Sequence, residues 1–396
     1  MSLKALTHSL NLRDVVTLLA LTRCRGVSGL TALRLALGHE RHTLIVAGAH
    51  PDLGQTLKPR EIQTLSAILE DQTLDKARRW AKEELERHRA IGARVIGFFD
   101  PDYPLLLRLI PRPPPVLFVR GNLGPLLTPR LTPSLTSVSN LTSHDVESRQ
   151  DVELAHPQPL YAAVIGTRHP SDQGMRRAQD VVHALFQNPT SHLRAQRRST
   201  TVISGLALGT DGYAHQTTLE HDGYTVAVLG HGLDQRYPYQ HMRLTDQILT
   251  CHGALISEQP IGTAPHPYCL VARDRIQAGL SAGVIITETG PKGGSLHTAR
   301  SALKQERSVY LPADHRLMLR DVEVFSDPKH HEYIFWINHQ GELAEAVNKI
   351  THRSLELHHQ AHDLYEALKR LSPSTYAQVM TYEQSSSKHG QGSLFS

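Results

Sequence analysis

Tyr161-Ala162-Ala163-Val164-Ile165-Gly166-Thr167-Arg168 opens a stretch, running to Asp314, in which short apolar runs repeatedly end in glycine-bearing turns. Thr201-Val202-Ile203 leads into Ser204-Gly205, with Gly209 and Gly212 close behind. Thr225-Val226-Ala227-Val228-Leu229 leads into Gly230-His231-Gly232, and Val284-Ile285-Ile286 passes through Thr287-Glu288 into Gly290-Pro291-Lys292-Gly293-Gly294-Ser295. Helix-patterned segments follow most of these turns. Short β-branched runs alternating with helices predict a parallel sheet covered on both faces. Such a sheet binds ligands at the carboxyl ends of its strands, where these turns gather. Glycines there permit close backbone approach, and helix N-termini offer amide donors to anions. The stretch reads as a device for holding phosphate, whether of a nucleotide or of a nucleic-acid backbone.

On the N-terminal side, Leu12 to Leu37 has helical spacing broken at Gly26-Val27-Ser28-Gly29. That break has two readings: the turn of a helix-hairpin-helix touching a phosphate, or a packed helical pair. Lys58 to Ile91 is patterned as helix, with Lys82-Glu83-Glu84 and Arg87-His88-Arg89 as a solvated face. Val95 to Phe98 and Val116 to Val119 predict strands. Leu123 to Pro159 is rich in Ser, Thr and Pro without a period, which predicts a linker or insertion. A second polar interruption, Gln187 to Thr200, carries Arg194, Arg197 and Arg198. Beyond Asp314, Tyr333-Ile334-Phe335-Trp336-Ile337 is the most aromatic run, Leu343 to Leu371 predicts one or two helices, and Glu383 to Ser396 is small and polar.

At 396 residues the chain can bury a large core and hold two or three domains. A formal charge of +4, with 26 histidines that gain charge as pH falls, is compatible with nucleic acid. Three widely separated cysteines indicate neither a disulfide framework nor a zinc ribbon, and no apolar run predicts a signal peptide or a membrane span. A cytoplasmic protein is expected. Gly290 to Ser295 lacks the order of a Walker A loop, and no Gly-x-Gly-x-x-Gly opens the first strand-turn-helix, so no cofactor is expected. His358, His359 and His362 have helical spacing without an acidic or cysteine partner in register, so no metal site is expected. Ser204 lacks the preceding glycine of a nucleophile elbow. An enzyme acting on nucleotides would need a carboxylate beside the sugar, for which Glu288, Asp211 and Glu258 are the candidates. Asp211 also fits an N-terminal helix cap, with His215 on the same helix face. His231, His297 and Tyr237 lie near the turns as stacking candidates.

The ordered motifs resemble the DNA-processing protein A (DprA/Smf) family. They are Val164 to Arg168 with Ser171 and Gly174; Ser204 to Asp211 with Ala214-His215; and Val226 to Asp234 with Tyr237-Pro238. Ser257-Glu258, then Arg273-Asp274-Arg275-Ile276 with Leu280-Ser281, and Gly293-Gly294-Ser295-Leu296 with Thr298-Ala299 complete the order. Upstream, Tyr103-Pro104, Pro114 to Leu117 and Gly121-Asn122-Leu123 fit the segment that precedes the domain. The resemblance covers roughly Leu12 to Leu311. It departs at Leu208, where Lys or Arg is usual, at Asp274 in place of Asn, and at Leu270 in place of Phe.

The resemblance implies an α/β protein: an extended Rossmann-like, doubly wound, mostly parallel sheet behind a small N-terminal helical domain of SAM or helix-hairpin-helix type. It implies a single-stranded DNA binder, not an enzyme, that forms a homodimer and assists loading of the RecA recombinase in natural transformation. The expected DNA contacts are Gly166, Thr167, Arg168, Ser204, Gly205, Gly209, Arg273, Arg275, Lys292, Gly293, Gly294 and Ser295. The expected division is a helical domain over 1–92, the strand-bearing start of the Rossmann-like domain over 93–123, a linker or insertion over 124–159, the Rossmann-like domain over 160–325, a mainly helical extension over 326–382 and a disordered tail over 383–396. Within that tail, Gln391, Leu394 and Phe395 resemble the pentapeptide by which bacterial replication and repair proteins hold the sliding clamp.

Overall fold

Nine strands form one sheet: β1 (Ala93–Gly97), β2 (Val116–Gly121), β3 (Leu160–Ile165), β4 (Thr200–Ser204), β5 (Tyr224–Leu229), β6 (Ala254–Ser257), β7 (Gly283–Ile286), β8 (Ser308–Pro312) and β9 (Ile334–Ile337). The structure, a computed structural model, describes residues 13–37, 57–70, 72–127, 159–187, 200–338 and 340–370. The strand order is β1-β2-β6-β5-β4-β3-β7-β8-β9. From β6 to β9 every pairing is parallel, and β1 and β2 add an antiparallel edge beyond β6. Every residue of β3, β4, β5, β6 and β7 is buried, which is why these strands read as continuous apolar runs without alternation. The mostly parallel α/β architecture expected from the glycine-ended runs is the one the chain forms.

The connections set where a ligand can bind. β3, β4, β5 and β6 step in one direction across the sheet, and the chain then returns to place β7 on the far side of β3. Right-handed crossovers put the helices that follow β3, β4 and β5 on one face and those of the return on the other. Accordingly, helix Thr210–Glu220 packs on helices Asp172–Gln187 and Met242–Thr250, while helix Asp274–Gly279 packs on helix Ser295–Lys304. The order reverses between β3 and β7, so the crevice opens at the carboxyl ends of these two strands.

The N-terminal part is helical: Val15–Arg23, Gly29–Leu37, Pro59–Glu70 and Thr73–Ala90. The turn at Gly26 to Gly29 is packed, because a side chain at Gly26 would meet Thr64 and one at Gly29 would meet Pro115. Glu84 joins this part to the sheet, accepting a hydrogen bond from the amide of Ile261 at 2.7 Å. At the other end, helix Gln340–Arg370 runs unbroken, and Ser354 Oγ accepts from the amide of Tyr161 in β3 at 3.1 Å.

Candidate nucleic-acid interface

At the β3–β7 switch the turns are knitted to each other. Thr167 donates its amide to the carbonyl of Glu288 at 2.9 Å, and Thr210 donates its amide to the carbonyl of Thr167 at 3.2 Å. A side chain at Gly166 would meet Thr210 Oγ1, and one at Gly209, whose φ is +78°, would meet the backbone of Thr167 and Arg168. The close approach that these glycines permit is therefore between protein segments. Glu288 folds its carboxylate onto the start of helix Asp172–Gln187, accepting from the amide and hydroxyl of Ser171 at 3.0 and 2.7 Å. Its Oε2 fills the space a Gly174 side chain would take. This helix N-terminus thus has its anion built in.

Behind β4 and β5, Arg273 is a strut. It is 7% exposed, donates to the carbonyls of Gly205 at 2.8 Å and of Val228, and contacts Asp274 Oδ1 at 3.1 Å. Its guanidinium occupies the place a Gly205 side chain would need. Arg275 makes a two-pronged pair with Glu258 at 2.5 Å on each side and donates to the carbonyl of Arg112 at 3.2 Å. Ser204 donates its hydroxyl to the carbonyl of Val164 at 2.7 Å inside the core. Asp211 lies in the first turn of its helix, with Gly209 at the cap position. Its carboxylate reaches back to the amides of Gly205 and Ala207 at 3.1 and 3.3 Å, so it ties the loop instead of capping the helix. Burial raises the pKa of Asp211 and pushes that of Asp274 up to about 7, against the pull of Arg273 in both cases. His215 is buried with Nδ1 on Thr225 Oγ1 at 2.7 Å, and burial holds its pKa down at about 3, so it stays neutral. His231, also buried, bonds the carbonyls of Gly232 and Tyr237 at 3.0 and 3.2 Å.

What remains open lies around the switch. Arg168 and Lys292 are exposed and have no ion-pair partner among the described residues. Gly290 and Gly294 face open space, and His297 is exposed. Gly293 is closed against Thr289, which also accepts the hydroxyl of the buried Ser295 at 2.7 Å. The amides of Gly294 and Ser295, at the start of helix Ser295–Lys304, make no hydrogen bond among the described residues. Of the four expected cations the structure brings Arg168 and Lys292 to the open rim and draws Arg273 and Arg275 into internal pairs. Leu208 and Leu270, where the resemblance departs, are half-buried. Arg194, Arg197, Arg198, Gln391, Leu394 and Phe395 lie outside the described residues. Sequence reading passed over Tyr239 and Tyr268, each 76% exposed behind β5 and β6; isolated tyrosines give no signal without a surface to place them on. Among the described residues no group of His, Cys, Asp or Glu could hold a metal ion, and no helix is long and apolar enough to cross a membrane.

Comparison with known proteins places this arrangement. Residues 151–323 match the family profile described as DNA recombination-mediator protein A. Protein Smf of Synechocystis sp. is 35% identical over 226 residues, 57% of this chain and 47% of that protein. Protein Smf of Escherichia coli is 46% identical over 113 residues, 28% of this chain and 30% of that protein. The chain thus spans less than half the length of either relative in these matches. The structure of DNA processing protein A (DprA) from Streptococcus pneumoniae superimposes with a TM-score of 0.53 at 24% identity, covering 85% of this chain and 98% of that one, which establishes a shared fold. Through the stretch at 151–323, the chain is thus similar to the DNA-processing protein A (DprA/Smf) family.

Proposed function

We propose that the carboxyl rim of the sheet holds single-stranded DNA by its phosphates, and that the protein acts as a binder that helps load the RecA recombinase during DNA uptake and recombination. The observation that carries this reading is the division of charge at the rim. Two cations, Arg168 and Lys292, stand exposed and unpaired beside free amides at a helix start, while each carboxylate that a nucleotide-cleaving enzyme would need is engaged. Glu288 is held by Ser171, Asp211 by the 205–207 loop and Glu258 by Arg275. Affinity for a polyanion arises from neutralised phosphates and released counterions, which exposed cations and amides supply.

Of the expected contacts, Arg168, Thr167, Lys292, Gly294 and the start of helix Ser295–Lys304 touch phosphate in this reading. Gly166, Ser204, Gly205, Gly209, Arg273 and Arg275 shape the rim. A cytoplasmic homodimer and a clamp contact through Gln391, Leu394 and Phe395 belong to the same proposal. Gel-shift titration against single- and double-stranded oligonucleotides across a salt series tests the core of it. Arg168→Ala should weaken single-strand binding and reduce the slope of log K against log salt by about 0.7, the single-strand value for one phosphate. An unaltered isotherm for that variant would remove Arg168 from the site. Deleting Leu394 and Phe395 should abolish retention by immobilised clamp, and sedimentation of the full chain reads the dimer.

A further inference from the structure

Among the described residues only three of the Phe, Tyr and Trp side chains are exposed: Tyr237 at 39%, and Tyr239 and Tyr268 at 76% each. All three follow the carboxyl ends of β5 and β6, on the rim already assigned to DNA. The backbone beneath them is fixed. His231 Nε2 bonds the carbonyl of Tyr237 at 3.2 Å, and the two rings meet edge-on at 5.9 Å. His241 bonds the carbonyl of Leu206 at 2.9 Å, and its ring fills the space a Gly212 side chain would need, which ties Tyr239 to the β4 turn. Helix Pro267–Ala272, which carries Tyr268, rests on Gly230 so closely that any side chain there would meet the backbone of Leu270 at 2.8 Å. Both tyrosine-bearing segments therefore pack on the end of β5. Tyrosine presents a large flat surface at low entropic cost, and a fixed backbone lowers that cost further. Exposed Arg236 and Arg243 lie in the same segment as Tyr237 and Tyr239, and the neighbouring Asp234 carboxylate is engaged by the amide of Gly262 at 3.0 Å.

We infer that Tyr239 and Tyr268 form a base-stacking platform for single-stranded nucleic acid, placed apart from the phosphate contacts on the same rim. The inference rests on the single-strand reading above. Phosphate is held where β3 and β7 end, and bases stack where β5 and β6 end. Four strand spacings of ~4.8 Å separate β7 from β6, so the two zones span ~19 Å, long enough for several nucleotides. Stacking tolerates any base, so this platform adds affinity without sequence preference.

The test compares oligothymidylate with an abasic oligonucleotide of equal length, using the full chain and the variants Tyr239→Ala, Tyr268→Ala and the corresponding Phe substitutions. The expected result is a loss on the order of tenfold per Ala substitution on oligothymidylate, an unchanged salt slope, retention by the Phe variants, and no difference between variants on the abasic strand. Tight wild-type binding that the Ala variants share overturns the platform and leaves the phosphate reading intact. An equal loss on both strands also overturns it, as does a change in sedimentation without a change in binding, which would make the tyrosines a protein contact. Failure of the wild type to bind either strand overturns both readings.

Discussion

Asp274 shows how one buried carboxyl can alter the charge of a surface it does not reach. It is packed against Arg273, and its charge interacts with Asp211 and Arg168. Burial pushes its pKa to about 7, so near neutrality it carries a proton about half the time and then presents no charge to the rim. The acid that stands where the family has Asn thus approaches an uncharged group as pH falls. The raised value also fixes the sign of its effect on stability. Between the unfolded pKa of ~3.9 and the folded value near 7, the native state keeps a proton that the unfolded chain has lost, so stability falls as pH rises through that window. Asp274→Asn should therefore be more stable than the wild type at pH 8, by roughly 1–3 kcal/mol, with the gap closing toward pH 4. Urea denaturation at the two pH values checks this, and a gap independent of pH would refute it. Single-strand affinity should fall more steeply from pH 6 to pH 8 in the wild type than in the variant, because the ionised carboxylate offsets Arg168.

At the scale of elements, the rim glycines divide into two kinds that the sequence cannot distinguish. Gly205 leaves room for the Arg273 guanidinium, which braces the ends of β4 and β5, whereas Gly294 opens a helix into free space with ordinary φ. Gly205→Ala should cost about 2 kcal/mol or more by displacing that strut. Gly294→Ala should change stability by less than ~0.5 kcal/mol, yet weaken single-strand binding severalfold by putting a methyl group at the helix start. Thermal melts and gel shifts on the pair check both, and equal effects on stability would discard the distinction. The strands at Val164, Ile203, Val226 and Val284 were legible because each is an apolar run closed by a glycine turn. β6 (Ala254–Ser257) and β8 (Ser308–Pro312) lack that signal, because neither is followed within four residues by a glycine. The arginines of Arg273-Asp274-Arg275 are legible as basic, but their engagement is not, because besides Asp274 next to Arg273 their partners lie apart in sequence: the carbonyls of Gly205 and Val228 for Arg273, and Glu258 for Arg275. Glu288 was read as a possible catalytic acid for the same reason, since its partner Ser171 is 117 residues away.

Across the whole molecule, Glu84 ties the N-terminal helices to the sheet. It is fully buried, pairs with Arg87 on its own helix, and accepts the amide of Ile261 in the loop that leads from β6 toward the Tyr268 helix. Its neighbour His88 stacks on Phe118 of β2 at 4.1 Å, and burial lowers the His88 pKa, so the contact is made by a neutral ring. Losing the Glu84 carboxylate would leave the Ile261 amide and one charge without their partner, a cost on the order of 1–3 kcal/mol. Because the contact joins the N-terminal helices to a loop outside the sheet, that cost should appear as local opening ahead of global unfolding. In Glu84→Ala, amide exchange should accelerate in helix Thr73–Ala90 and in the 259–263 loop, with protection kept in β3 to β5. The open cations at Arg168 and Lys292 lie at the other end of the rim, so the salt slope of single-strand binding should hold while absolute affinity drops modestly through the loosened Tyr268 segment. Uniform loss of protection across all strands would mean that helices and sheet unfold as one unit and that Glu84 secures the whole core.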